Sequence, residues 1–228
     1  SLGTKLGLAD DTIYADDAVL IPELLSDLPY EFFASSAIDA LIHAMESFVS
    51  PRANLYTRMF STQAIRMIIS GFLQMEAEGP DVRLQLLDEF LTASNMAGIA
   101  FGNAGCGAFH ALSYSIGGAF HVPHGESNYQ FFTEVFKTYM KREPEGKIAS
   151  LNKVYADILG CDEAVVYDEL DKVLNKLLNK KPLREYGMTE EQIETFTKST
   201  VDNQQRLLSK SYVPLSYEEL RQIFVNLY

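Results

Sequence analysis

An all-α domain preceded by a short strand-bearing segment is the fold class that the sequence predicts. Three observations carry it. From Glu31 onward, apolar residues recur with a rhythm of about 3.6 residues. β-prone runs bounded by turn signals are confined to the first thirty residues. The 228 residues are 47% hydrophobic, with 14 Phe and 12 Tyr, enough to bury a sizeable core.

Residues 12–15 and 18–21 are short β-prone runs flanked by Asp-Asp pairs and read as strands. An isolated pair of strands is marginal in water, so they read as the remnant of a sheet whose other strands lie outside the chain. Pro22 opens a short turn or helix that ends near Pro29. Residues 34–49 then place Ile38, Leu41, Ile42, Met45, Phe48 and Val49 at helical spacing. Residues 56–75 repeat the pattern through Met59, Phe60, Ala64, Ile65, Ile68, Ile69 and Phe72. Gly79-Pro80 breaks it, and 82–100 resumes it. Further helices fit 109–120, 126–140, 146–159, 162–180, 190–208 and 217–228. Ser216 with Glu219, and Thr189 with Gln192, have the spacing of capping boxes.

The formal charge of −12 argues against nucleic acid or an anionic membrane as partner, since either would require a basic face. Cys106 and Cys161 are the only cysteines, so no disulfide framework is present. No signal sequence or run of membrane-spanning length is seen, and the expectation is a cytoplasmic protein. The chain opens on Ser1-Leu2 without methionine, which reads as an internal start.

Of four histidines, three fall with one aspartate into the pattern of a single mononuclear metal site. Asp39 and His43 are four apart on one helix face, and His110 and His124 bracket a glycine-containing stretch. One carboxylate and three imidazoles suit Zn²⁺ or Fe²⁺ better than Ca²⁺ or Mg²⁺. Taken singly, each histidine is an ordinary core or surface residue. Together with a carboxylate that is costly to bury unless paired or metal-bound, the pattern favours a ligand set. Small residues (Gly102, Gly105, Gly107, Ala108, Ala111, Gly117, Gly118) surround the pair, where backbones or a ligand approach closely, a tight helix crossing being the plainer explanation. Glu-x-x-His, His-Glu-x-x-His, Cys-x-x-Cys, EF-hand, Gly-x-Ser-x-Gly and phosphate-cradling glycine motifs are all missing from the chain.

The helix from Ile38 to Glu46, the segment from Gly98 to Ala104, the run from Gly107 to Gly118 and Pro123-His124-Gly125 together resemble the iron-containing (group III) alcohol dehydrogenases. The resemblance spans nearly the whole chain. It implies a helical, dehydroquinate-synthase-like C-terminal domain (31–228) preceded by a strand remnant (1–30) of an α/β nucleotide-binding domain. It also implies Asp39, His43, His110 and His124 as ligands of Fe²⁺, with Zn²⁺ an alternative, and Phe101 beside the nicotinamide of NAD or NADP. The cofactor would be bound mainly by the domain outside this chain, so the chain alone is expected to be inactive. Within the family, the stretch from His110 to Gln130 is most similar to members acting on 4-hydroxybutyrate and succinate semialdehyde.

Two departures matter. Tyr114 stands where many members have a histidine that helps move the alcohol proton, and a phenol is a weaker relay at neutral pH. Lys210-Ser211-Tyr212 stands where many have Asn-Pro-Arg. For the distal carboxylate of a hydroxy acid, His121, Arg206 and Lys210 are the candidate cations. The expected partners are a small alcohol or aldehyde and further copies of the chain. A glycerol dehydrogenase-like or dehydroquinate synthase-like activity, or a non-catalytic metal-binding module, are the alternatives.

Overall fold

The computed structural model describes residues 7, 8 and 10–228. A long, mostly buried helix, α1 (Tyr30–Val49), runs through the middle of the molecule, and the rest is built around it. Its Ala-rich surface (Ala34, Ala37, Ala40, Ala44) lets neighbours approach, while Ile38, Leu41, Ile42 and Met45 are fully buried. α2 (Leu55–Glu78), α3 (Leu87–Ala104), α5 (His124–Arg142) and α6 (Lys147–Leu159) pack against it. By length and composition α1 could cross a membrane, contrary to the reading of the sequence, but most of it is buried inside the protein.

Local chemistry explains the helix ends. α2 begins at a capping box absent from the sequence-based reading. Asn54 Oδ1 accepts the N–H of Thr57 at 3.1 Å, and Thr57 Oγ1 accepts that of Asn54 at 3.0 Å. It stops at Gly79, whose φ of 101° suits only glycine, before Pro80. α4 (Ala108–Phe120) is locked to α5 by an aromatic cluster in which the rings of Phe109 and Phe136 lie 5.0 Å apart. It ends at His121 in the left-handed conformation (φ 55°), and Val122-Pro123 turns the chain into α5. α7 (Val166–Leu177), α8 (Glu190–Asn203), α9 (Gln205–Leu208) and α10 (Tyr217–Leu227) complete the core. Both cysteines are free.

Several expectations need correction. Neither N-terminal strand forms, and no strand occurs among the described residues. Asp11–Ile13 is one turn of 3-10 helix, residues 14–21 are irregular, and Pro22–Leu25 is a second such turn. Asp10 Oδ1 accepts from Thr12 N–H and Oγ1–H at 2.9 and 2.5 Å, winding the chain locally where no neighbouring strand offers a ladder. The helix over 82–100 starts only at Leu87, because Pro80 first drives the 3-10 turn Pro80–Gln85. The one over 162–180 is confined to Val166–Leu177, and 190–208 breaks at Gln204.

Candidate metal centre

Three helices converge on one point. α1 presents Asp39, His43 and Glu46, which the spacings of four and three residues place on one face. α4 presents His110 from its first turn and Tyr114 one turn later. α5 begins with His124, and Asn128 follows on the same face. The close approach of α5 to α1 requires Gly125, since a Cβ there would overlap the carbonyl of Ser35.

Asp39, His43, His110 and His124 each offer a donor atom within 4.8 Å of the others. Nε2 of His43 and Nε2 of His110 are 3.0 Å apart, and Asp39 Oδ2 lies 3.9 Å from Nε2 of His124. Two donors about 2.1 Å from one ion sit roughly 3.0–3.5 Å apart. The His43–His110 pair meets that spacing for a Zn²⁺- or Fe²⁺-sized ion, and the Asp39–His124 pair is wider and would have to draw in around it. A second observation agrees. The amide Nδ2 of the fully buried Asn128 is 2.6 Å from Asp39 Oδ1 and 3.2 Å from Nε2 of both His110 and His124. An electropositive NH₂ group thus lies where acceptor lone pairs converge, and Ser113 Oγ–H fixes its orientation by donating to Oδ1.

The electrostatics hold Asp39 and His43 in the protonation states of ligands and His110 in its charged form. Burial, with His110 and His124 adding to it, outweighs the pull of Asp39 and pushes His43 down to about 4, so its ring is neutral. Burial would raise Asp39, but the three imidazoles and Asn128 outweigh it and hold the carboxyl below its ordinary range. Burial also opposes a charge on His110, yet Cys106 and Glu46 beside it hold its pKa well above the usual imidazole value. That favours the doubly protonated ring in the metal-free protein, with Nδ1 held 2.6 Å from Glu46 Oε2, so a metal would have to displace the proton on Nε2.

The ring of Phe101, from α3, stacks on His43 with centroids 4.5 Å apart. The half-buried Tyr114 ring lies 6.2 Å from that of His124; burial raises its pKa despite His110 and Arg206 nearby, so it is a neutral phenol. Arg206, exposed on α9, lies near the Tyr114 hydroxyl. A Cβ on Gly7 would lie 2.9 Å from its Nη2 and 3.3 Å from the Tyr114 hydroxyl. Lys210 instead lies across Gly105 at the α3–α4 turn, and His121 is exposed at the end of α4. A cavity of 380 Å³ opens over Asp39, His43 and His124, lined also by Phe32, Ser35 and Pro123. Glu46 and Asn128 were missed in the sequence. The signals were Glu46 continuing the Asp39–His43 face and Asn128 one turn beyond His124.

The profile of the C-terminal part of the Fe-containing alcohol dehydrogenase family matches residues 33–228, a span that holds every residue of the cluster. The chain belongs to that family. Within it, the chain is 56% identical to the 4-hydroxybutyrate dehydrogenase of Clostridium kluyveri over 225 residues, covering 99% of this chain and 61% of the relative. It is 32% identical to long-chain-alcohol dehydrogenase 1 of Geobacillus thermodenitrificans, covering 97% and 56%. Among solved structures, a 1,3-propanediol oxidoreductase superposes with a TM-score of 0.77 at 26% identity, covering 91% of this chain and 54% of that one. An archaeal alcohol dehydrogenase from a Red Sea brine pool shares the fold, with a TM-score of 0.89 at 18% identity over 100% and 58%. The chain therefore spans little more than half the length of the relatives it matches.

Proposed function

We propose that this family member interconverts 4-hydroxybutyrate and succinate semialdehyde with a nicotinamide cofactor, at a metal centre held by Asp39, His43, His110 and His124. The observation that carries it is the convergence of one carboxylate and three imidazoles on a single point, supported by the 56% identity to a 4-hydroxybutyrate dehydrogenase. A divalent ion there, Fe²⁺ or Zn²⁺, would supply Lewis acidity that makes an alcohol hydroxyl easier to deprotonate. The chain's own residues supply the setting. Asp39 provides the negative charge, the neutral His43 provides a lone pair, and Phe101 provides an apolar wall for the nicotinamide. Tyr114, a neutral phenol, orients the proton path rather than accepting the proton.

Residues 31–228 are then the metal-binding catalytic part, and residues 1–30 the connection to a nucleotide-binding domain that holds most of NAD or NADP. The reading extends to a cytoplasmic homo-oligomer. Of the three cations considered for the substrate carboxylate, Arg206 is the one near the Tyr114 hydroxyl, which supports assigning it that role. His121 and Lys210 are set aside.

The test uses the full-length protein loaded with Fe²⁺ or Zn²⁺, assayed with 4-hydroxybutyrate and with 1-butanol. A charge-assisted hydrogen bond contributes roughly 1.5–3 kcal/mol. Arg206→Ala should therefore raise KM for 4-hydroxybutyrate by at least about tenfold while leaving 1-butanol oxidation unchanged. A wild-type preference for 1-butanol would overturn the substrate assignment. An equal loss on both substrates would overturn the role of Arg206.

A further inference from the structure

One buried carboxylate takes no part in the chemistry described so far. Glu46 is 4% exposed on the apolar α1, one turn beyond His43. Its Oε2 meets Nδ1 of His110 at 2.6 Å, and its Oε1 accepts the N–H groups of Gly107 at 2.8 Å and Phe109 at 3.3 Å. An ionised carboxylate only accepts, so every partner must donate, and His110 must carry a proton on Nδ1. That leaves Nε2 as the nitrogen facing the point where His43 and Asn128 also meet. The two amides belong to the start of α4, where N–H groups lack intrahelical partners and negative charge is favoured. A single side chain therefore anchors the turn that delivers His110 and selects the nitrogen that faces the metal.

We propose that Glu46 is a positioning residue for metal binding, setting the tautomer of His110 so that Nε2 is the ligand atom; this rests on the metal-centre reading above. A purely structural Glu46 would need only an oxygen for Gly107 and Phe109, which glutamine also has. Glu46→Gln separates the roles. It keeps Oε1 but puts an NH₂ donor against Nδ1, so the His110 proton is displaced to Nε2, pointing into the cluster. Loss of such an outer partner lowers metal affinity by roughly 10–100-fold.

The measurement is Zn²⁺ affinity by competition with a chromophoric chelator, on wild type and Glu46→Gln, beside thermal melts. The expected result is a fall of that size in a metal-free protein that still folds and melts cooperatively. Equal affinity in the two proteins would overturn the proposal. Failure of the wild type to bind Zn²⁺ would instead overturn the metal-centre reading. A second readout needs no variant: ¹⁵N NMR of histidine-labelled, Zn²⁺-loaded wild type should show His110 protonated at Nδ1 and coordinated through Nε2. Glu46, Cys106 and His110 also bring donor atoms within 4.8 Å of one another. Coordination through Nδ1, placing the ion in that second cluster, would therefore refute the assignment outright.

Discussion

Removing His110 and removing His124 should have equal consequences for metal binding and unequal ones for the fold. The side chain of His110 is 3% exposed and its partner Glu46 is equally buried. Truncating His110 to alanine takes from Glu46 the donor at Nδ1 and opens a hole against the His43 ring, whose centroid is 4.8 Å away. Breaking a buried charged pair costs about 3–5 kcal/mol. The lower end, about 3 kcal/mol, applies here because the N–H groups of Gly107 and Phe109 still hold the carboxylate.

His124 is different. Its side chain is 40% exposed at the first residue of α5, and its approach to Asp39 is 3.9 Å. A partly solvated pair of that kind contributes below about 1 kcal/mol. The assay is urea unfolding of both metal-stripped alanine variants, followed by far-ultraviolet circular dichroism at neutral pH. With a urea dependence of about 2–3 kcal/mol per molar, His110→Ala should unfold roughly 1 M earlier than wild type, and His124→Ala within a few tenths of a molar. Zn²⁺ binding should be severely weakened in both. Equal destabilisation, or a larger effect for His124→Ala, would show that the His110–Glu46 pair does not anchor α4 to α1.

Other perturbations test the surrounding structure. Gly125→Ala forces a methyl against the Ser35 carbonyl and within 3.2 Å of Asp39 Cβ. It should cost about 1–3 kcal/mol by overpacking and weaken Zn²⁺ binding by parting α5 from α1. Thermal melts and chelator competition read both effects, and wild-type values for both would deny the close helix crossing. Ser216→Ala removes the acceptor for Glu219 N–H at 3.2 Å and should cost about 1 kcal/mol in urea unfolding. Burial would raise the Glu219 carboxyl, but Ser216 N–H and Arg142, the latter bonded at 2.7 and 2.8 Å, outweigh burial and hold it below its ordinary range. Its contribution is present above the unfolded-state pKa and is lost as pH falls through the lower folded one. The stability gap between wild type and Glu219→Gln should therefore shrink as pH drops from 5 toward 3, and a constant gap would contradict the assignment.

Much of this protein was legible in sequence because the responsible physics is local. The apolar spacing of Ile38, Leu41, Ile42 and Met45 specifies a buried helix wherever α1 lies. The four-residue step from Asp39 to His43 puts both on one face before any neighbour is known. Ser216 with Glu219 announces a helix start for the same reason: the capping hydrogen bonds close within one turn. The failures are equally physical. Residues 12–15 and 18–21 have β-prone side chains, but a strand exists only when another strand completes its hydrogen bonds, and Asp10 offered Thr12 a closer partner.

Tertiary structure alone decided which polar residues complete the centre. Glu46 meets His110 across 64 positions of chain, and Asn128 meets Asp39 across 89. Arg206, His121 and Lys210 were indistinguishable as cations until the packing of α9 on α4 carried the first of them to Tyr114. Periodicity records which face of a helix is buried, but not which face of which other helix it will meet. The partner of a buried charge is settled only when the helices pack.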